Sequence, residues 1–116
     1  MRSQSILNTI TDSIRETALR MFSVRLKSVI LYGSYTRGDN DDESDIDVFI
    51  LVDMSTNELS EYSNELAKVA SRLSLETERC TTVSIALQDL ATYDKYCEYL
   101  PYFINISKEG VVIYAA

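Results

Sequence analysis

The stretch that most constrains this chain is "DIDVFILVD", residues 45–53. It alternates acid with apolar residue at its start, then runs wholly apolar through Val48-Phe49-Ile50-Leu51-Val52. Period-two alternation gives a strand one wet face and one dry face, whereas an unbroken apolar run demands cover on both sides. The segment therefore reads as a central strand with one end in solvent. Elements flanking such a strand must supply that cover.

The rest of the chain supplies them. Ile6, Ile10, Ile14, Ala18, Met21 and Phe22 recur at helical spacing over residues 3–22. "SVILYG", residues 28–33, reads as a short buried strand ending at a glycine. Ser55 and Glu58 have the spacing of a capping box. The stripe Leu59, Tyr62, Leu66, Val69, Leu73 then carries a helix to about residue 75. "TTVSIAL", residues 81–87, is β-branched and fits a third strand. Residues 89–106 read as a helical stretch interrupted by Pro101, Gly110 ends it, and "VVIYA" is a terminal strand. The expectation is an α/β (α+β) fold over a single domain, residues 1–116, with a small mixed β-sheet flanked by helices.

Composition removes whole classes of chemistry. Histidine is absent, so His-based triads, His general bases and most zinc sites are excluded. Catalysis would have to run on carboxylates, hydroxyls, Lys/Arg or a hard cation. The formal charge is −7. No Lys/Arg cluster is present to release counterions from a duplex, so nucleic acid is disfavoured as a large bound partner. Apolar runs are far shorter than the roughly 20 residues of a membrane span. The polar "MRSQSILNTITDS" does not read as a signal peptide. Cys80 and Cys97 then read as reduced thiols of a cytoplasmic protein.

The negative charge is unevenly placed. Six of the eighteen acidic residues lie within residues 39–47, leaving the remainder close to neutral. Asp39, Asp41 and Asp42 suit a solvated, turn-prone loop. Asp45 and Asp47 do not, because residues two apart on a strand project from one face. At about 6 Å and an effective dielectric near 20, two such charges repel by roughly 3 kcal/mol. A divalent cation between them removes that repulsion, and oxygen ligands alone select Mg²⁺ or Mn²⁺. A calcium loop does not fit, since the places for its glycine and its bidentate glutamate hold Ser44 and Ile50. Gly33-Ser34 follows the strand at 28–33. A turn of this kind exposes backbone N–H groups, lets a phosphate approach closely and offers a hydroxyl donor. Arg37 is a candidate for balancing phosphate charge or orienting the aspartates.

Gly33-Ser34, ten residues, then Asp45-Ile46-Asp47 resembles the G-S-x10-D-x-D signature of the nucleotidyltransferase superfamily related to DNA polymerase β. "GSYTRGDNDDESDIDVFI" looks like the form seen in its minimal nucleotidyltransferases, and "YFINISKEGVVIY" looks like the end of its small members. The resemblance implies the nucleotidyltransferase fold and transfer of a nucleoside monophosphate, AMP from ATP, to a protein or small-molecule acceptor. It implies that Asp45 and Asp47 hold Mg²⁺ (or Mn²⁺) and that Gly33 and Ser34 bind the triphosphate. It also implies a helical HEPN-type partner, with the pair forming a toxin–antitoxin system.

One departure matters. Transferases of this type carry a third carboxylate on a later strand, and residues 81–87 contain no acid. Glu76 and Glu78 precede that strand, and Gln88-Asp89 follows it. The alternative is a binding module that keeps the fold and acts by covering a partner protein. Tyr93, Tyr96, Tyr99 and Tyr102 run at threefold spacing. They read as core packing plus surface tyrosine, or else as an aromatic surface for a partner or a second copy.

Overall fold

The computed structural model describes residues 2–32, 46–76 and 82–116, with the backbone alone for residues 2–7 and 76. The described elements are helix α1 (Arg2–Phe22), a 3-10 turn (Ser23–Arg25), strands β1 (Leu26–Tyr32) and β2 (Ile46–Val52), helix α2 (Thr56–Glu76), strand β3 (Val83–Asp89), helices α3 (Leu90–Tyr96) and α4 (Pro101–Glu109), and strand β4 (Val111–Ala115). The strands form one mixed sheet in the order β3-β2-β1-β4. β1 pairs antiparallel with both β2 and β4, and β2 pairs parallel with β3.

β2 is central, and its alternation sorts the core into two layers. Ile46, Val48, Ile50 and Val52 face α1 and α2, where they meet Ile14, Ala18, Leu66 and Leu73. Phe49 and Leu51 face the opposite way, toward α3 and α4, against Phe103 and Ile106. Each fully buried side chain of this size contributes about 1.5–3 kcal/mol of transfer free energy. The wholly apolar run is thus explained by helices on both faces of one strand.

The helix ends follow local chemistry. Ser55 and Glu58 form the expected capping box: Ser55 N–H donates to Glu58 Oε1 at 3.2 Å, and Glu58 N–H donates to Ser55 Oγ at 3.2 Å. Glu58 also receives both Arg25 terminal nitrogens at 3.2 Å, while Arg25 Nε donates to the Asp53 carbonyl at 3.0 Å. This clasp ties α2 to the end of the sheet where β1 begins and β2 finishes. α1 ends at Phe22, and the 3-10 turn opens at Ser23, whose φ of 51° lies in the left-handed region. Ser74 Oγ accepts the Val83 N–H at 2.9 Å, joining α2 to the start of β3.

Two expectations are corrected. β3 spans Val83–Asp89 rather than residues 81–87, so Gln88 and Asp89 lie inside the strand. The helical stretch over 89–106 is two helices. Asp89 caps the first by accepting the Thr92 N–H at 2.9 Å, and Pro101 begins the second at its first turn. A proline lacks the N–H that a continuing helix requires, yet suits a helix start.

Candidate active site

The sheet has one end opposite the Arg25 clasp. There β1 stops at Tyr32, β2 has just begun, and β3 and β4 start. Of the expected site residues, Asp47 is described; Gly33, Ser34, Arg37 and Asp45 lie outside the described residues, as do Glu78 and Cys80. Asp47 is half-buried on β2, one step from the strand's start. Alternation puts it on the face of Phe49 and Leu51, so it borders the layer formed with α3 and α4.

Its neighbours in the sheet are explicit. Tyr32 on β1 is its antiparallel partner, and Ser84 on β3 is its parallel partner. Directly opposed residues carry their side chains on one face with Cβ atoms about 4.5–5.5 Å apart. Asp47 is therefore flanked by a phenol and a serine hydroxyl. No acid occupies the β3 position beside it, as residues 81–87 led us to expect. Asp89 pairs with Val52, five steps along β2 from Asp47. At about 3.3 Å per residue that is roughly 16 Å away. Its carboxylate serves α3 instead. Burial opposes its ionisation, but hydrogen bonds from the Thr92 side chain and backbone, its own backbone N–H and Gln88 outweigh that and hold its pKa below the ordinary value.

An aromatic wall closes the α3–α4 side. Phe49 contacts Tyr93, Tyr102 and Phe103 with ring centroids 5.9, 6.2 and 6.1 Å apart. Tyr32 stands nearly perpendicular to Tyr102 at 6.3 Å, and their hydroxyl oxygens are 3.1 Å apart. Tyr93 shares a hydrogen bond with Ser107 at 3.0 Å. Burial foremost, then the hydrogen bond to Tyr102 and its charge, then the negative charge of Asp47, push the Tyr32 phenol well above the usual tyrosine range. Tyr32 is thus a neutral hydroxyl at any working pH.

The tyrosine series at threefold spacing divides accordingly. Tyr93 and Tyr102 make ring contacts in the wall from different helices, with Tyr102 still exposed, while Tyr96 and Tyr99 are exposed outside it. Breaking the helix at Pro101 is what separates them. Tyr32, a neighbour of Asp47, and Tyr102, the hydrogen-bond partner of Tyr32, had no place at this site in the sequence reading. Tyr32 had a usable signal, since strand alternation beside a glycine turn marks it. Tyr102 had none, because only the packing of α4 brings it across.

The donor chemistry suits a hard cation: a carboxylate with hydroxyl neighbours, all oxygen. Among the described residues no group of three or more His, Cys, Asp or Glu side chains converges. Among the described residues, too, no helix is long and apolar enough to cross a membrane.

Comparison with known proteins bears on this geometry. Putative protein adenylyltransferase MJ0141 of Methanocaldococcus jannaschii is 55% identical over 53 residues, covering 45% of this chain and 50% of that protein. Putative protein adenylyltransferase MJ0604 of the same organism is 57% identical over 30 residues, covering 26% of this chain and 30% of that protein. The chain thus matches half or less of the length of either relative. The crystal structure of a putative nucleotidyltransferase from Sulfolobus solfataricus matches 97% of this chain and 85% of its own, with a TM-score of 0.58 and 21% identity. That likeness speaks for the fold. The family model for the nucleotidyltransferase domain matches residues 12–114, from within α1 to within β4. By that match across nearly every described element, this chain belongs to the nucleotidyltransferase domain family.

Proposed function

We propose that this chain is a metal-dependent nucleotidyltransferase that moves AMP from ATP onto a protein or small-molecule acceptor. In this reading Asp45 and Asp47 hold Mg²⁺ (or Mn²⁺), Gly33 and Ser34 bind the triphosphate, and Arg37 balances phosphate charge. The observation that carries it is the setting of Asp47. A carboxylate stands half-buried at a sheet end, opposite the residue that covalently precedes Gly33 and one residue after the one that follows Asp45. A protein acceptor is favoured by the names of the two curated relatives. A helical HEPN-type protein is the partner proposed, with this chain acting as its antitoxin.

When bound, the cation would offset charge developing on the phosphates during in-line attack at the α-phosphorus. The chain's own groups do the rest. Asp47 supplies a carboxylate aimed to the aromatic face. Tyr32 borders it as a hydroxyl that keeps its proton, and the aromatic wall of Phe49, Tyr93, Tyr102 and Phe103 lines that side. Ser84 cannot serve as a carboxylate base, so the acceptor loses its proton without help from β3.

The test is the double variant Asp45→Asn with Asp47→Asn, incubated with labelled ATP, Mg²⁺ and the helical partner. Transfer of label should vanish while the circular dichroism spectrum is unchanged. Undiminished transfer sinks the assignment.

Ser84 favours a second reading, since it stands where an acid would be needed for full activity. On that reading the chain is a binding module that neutralises its partner by contact. The same double variant decides between them: neutralisation that survives loss of transfer supports the module.

A further inference from the structure

We propose that Tyr102 is a self-modification site, whose phenol oxygen accepts the nucleoside monophosphate from an NTP within the same chain. The inference rests on the transferase reading above and names an acceptor for it.

The geometry starts from Asp47. Tyr32 is its direct cross-strand partner on the same face. The Tyr32 hydroxyl is 3.1 Å from the Tyr102 hydroxyl. The Tyr32 phenol thus bridges the β-carbon that faces Asp47 to the Tyr102 oxygen, which lies a further 3.1 Å beyond the Tyr32 hydroxyl. The two phenols are not equivalent. Tyr32 is half-buried, enclosed by its strand neighbours and the wall. Tyr102 is 45% exposed on the first turn of α4. Tyr102 thus presents a hydroxyl that a phosphorus centre can reach from solvent, with Tyr32 behind it to donate a hydrogen bond to the oxygen as charge develops. Ring contacts with Phe49 at 6.2 Å, Phe103 at 5.6 Å and Tyr32 at 6.3 Å fix the direction of its ring. An oriented nucleophile recovers the part of the barrier otherwise set by freedom of approach. Tyr96 and Tyr99 are exposed too, but among the described residues no ring or hydroxyl contact ties either of them to the Asp47 face.

The step balances without a further reactant. Tyr102 Oη attacks the α-phosphorus of the NTP, and an Oη–P bond forms. The bond from the α-phosphorus to the bridging oxygen breaks, and pyrophosphate leaves with that electron pair. The phenol proton passes to solvent, and nothing is oxidised or reduced.

The experiment is intact-mass and fragment-ion analysis of the full chain after incubation with ATP and Mg²⁺, beside a parallel assay of pyrophosphate release. Wild type should gain the mass of one AMP, mapped to Tyr102. Tyr102→Phe, which keeps the ring packing, should lose that gain, and Asp47→Asn should lose it together with pyrophosphate release. A mixture of Asp47→Asn with Tyr102→Phe should leave both chains unlabelled, since transfer is within one chain; label on the Asp47→Asn copy overturns that. Mg²⁺-dependent pyrophosphate release with no AMP on the protein, or with AMP mapped elsewhere, overturns the Tyr102 inference and leaves the transferase reading standing. Absence of both signals, repeated in the presence of the helical partner, removes the transferase reading and this inference with it.

Discussion

Gly110 offers the sharpest test of the packing that holds the aromatic face over Asp47, because two effects of opposite sign meet there. It ends α4 with φ −75° and ψ 151°, an extended conformation open to any residue. If backbone freedom alone mattered, Gly110→Ala would reduce the entropy of the unfolded chain and stabilise the protein by about 0.4–1 kcal/mol. The structure argues otherwise. A β-carbon at this position would overlap the Ile30 Cγ2 methyl and lie 2.5 Å from the Ile106 carbonyl oxygen. That carbonyl already accepts the Gly110 N–H at 2.9 Å, so it cannot withdraw without losing a helix-ending hydrogen bond. Either α4 moves off β1 or Ile30 leaves its place. Overpacking of this kind costs about 1–3 kcal/mol. The overlap with a backbone atom puts the expectation near the top of that range, so the urea midpoint should fall by roughly 1–2 M. Equilibrium unfolding followed by circular dichroism reads this directly. A midpoint equal to or above that of wild type would refute the argument, for it would mean that α4 does not press on β1 at Gly110.

Other perturbations test separate parts of the frame. Asp89→Ala removes the cap of α3 and should cost about 1–2 kcal/mol at neutral pH. Because the folded-state pKa of Asp89 is depressed, its contribution is present in full above the ordinary value of 3.8 and is lost as pH falls through the folded value. The gap between wild type and variant in urea unfolding should therefore narrow below about pH 4, and a gap that widens there would contradict the capping account. Ser23→Gly should stabilise by about 0.5–1 kcal/mol, because a left-handed φ is strained for serine and free for glycine. It should appear as a Tm raised by a few degrees, and a lowered Tm would show that the Ser23 side chain matters more than its backbone.

Much of the frame was legible along the chain because it depends on short-range periodicity. The alternation that breaks into an apolar run at Val48 marked β2 as the central strand. The Ser55/Glu58 spacing marked the start of α2, and Gly110 its counterpart at the end of α4. Where a boundary depended on long-range pairing, local reading slipped. β3 runs two residues later than its β-branched stretch, because its limits follow the ladder with β2 and the bond from Val83 to Ser74. The tyrosines at threefold spacing suggested one stripe, but the break at Pro101 sends Tyr93 and Tyr102 into the wall from two helices.

Taken alone, the amino-acid order settles which residues alternate, which cap and which carry charge, since these are properties of neighbours a few positions apart. It therefore marks Asp47 as a carboxylate at the edge of a buried strand and shows that residues 81–87 hold no acid. Only the tertiary structure decides that the strands lie in the order β3-β2-β1-β4, that Ser84 and Tyr32 flank Asp47, and that Tyr102 arrives 3.1 Å from Tyr32 across 70 positions of chain. Those contacts depend on how two helical layers share one sheet, and no local pattern encodes a distance between residues so far apart.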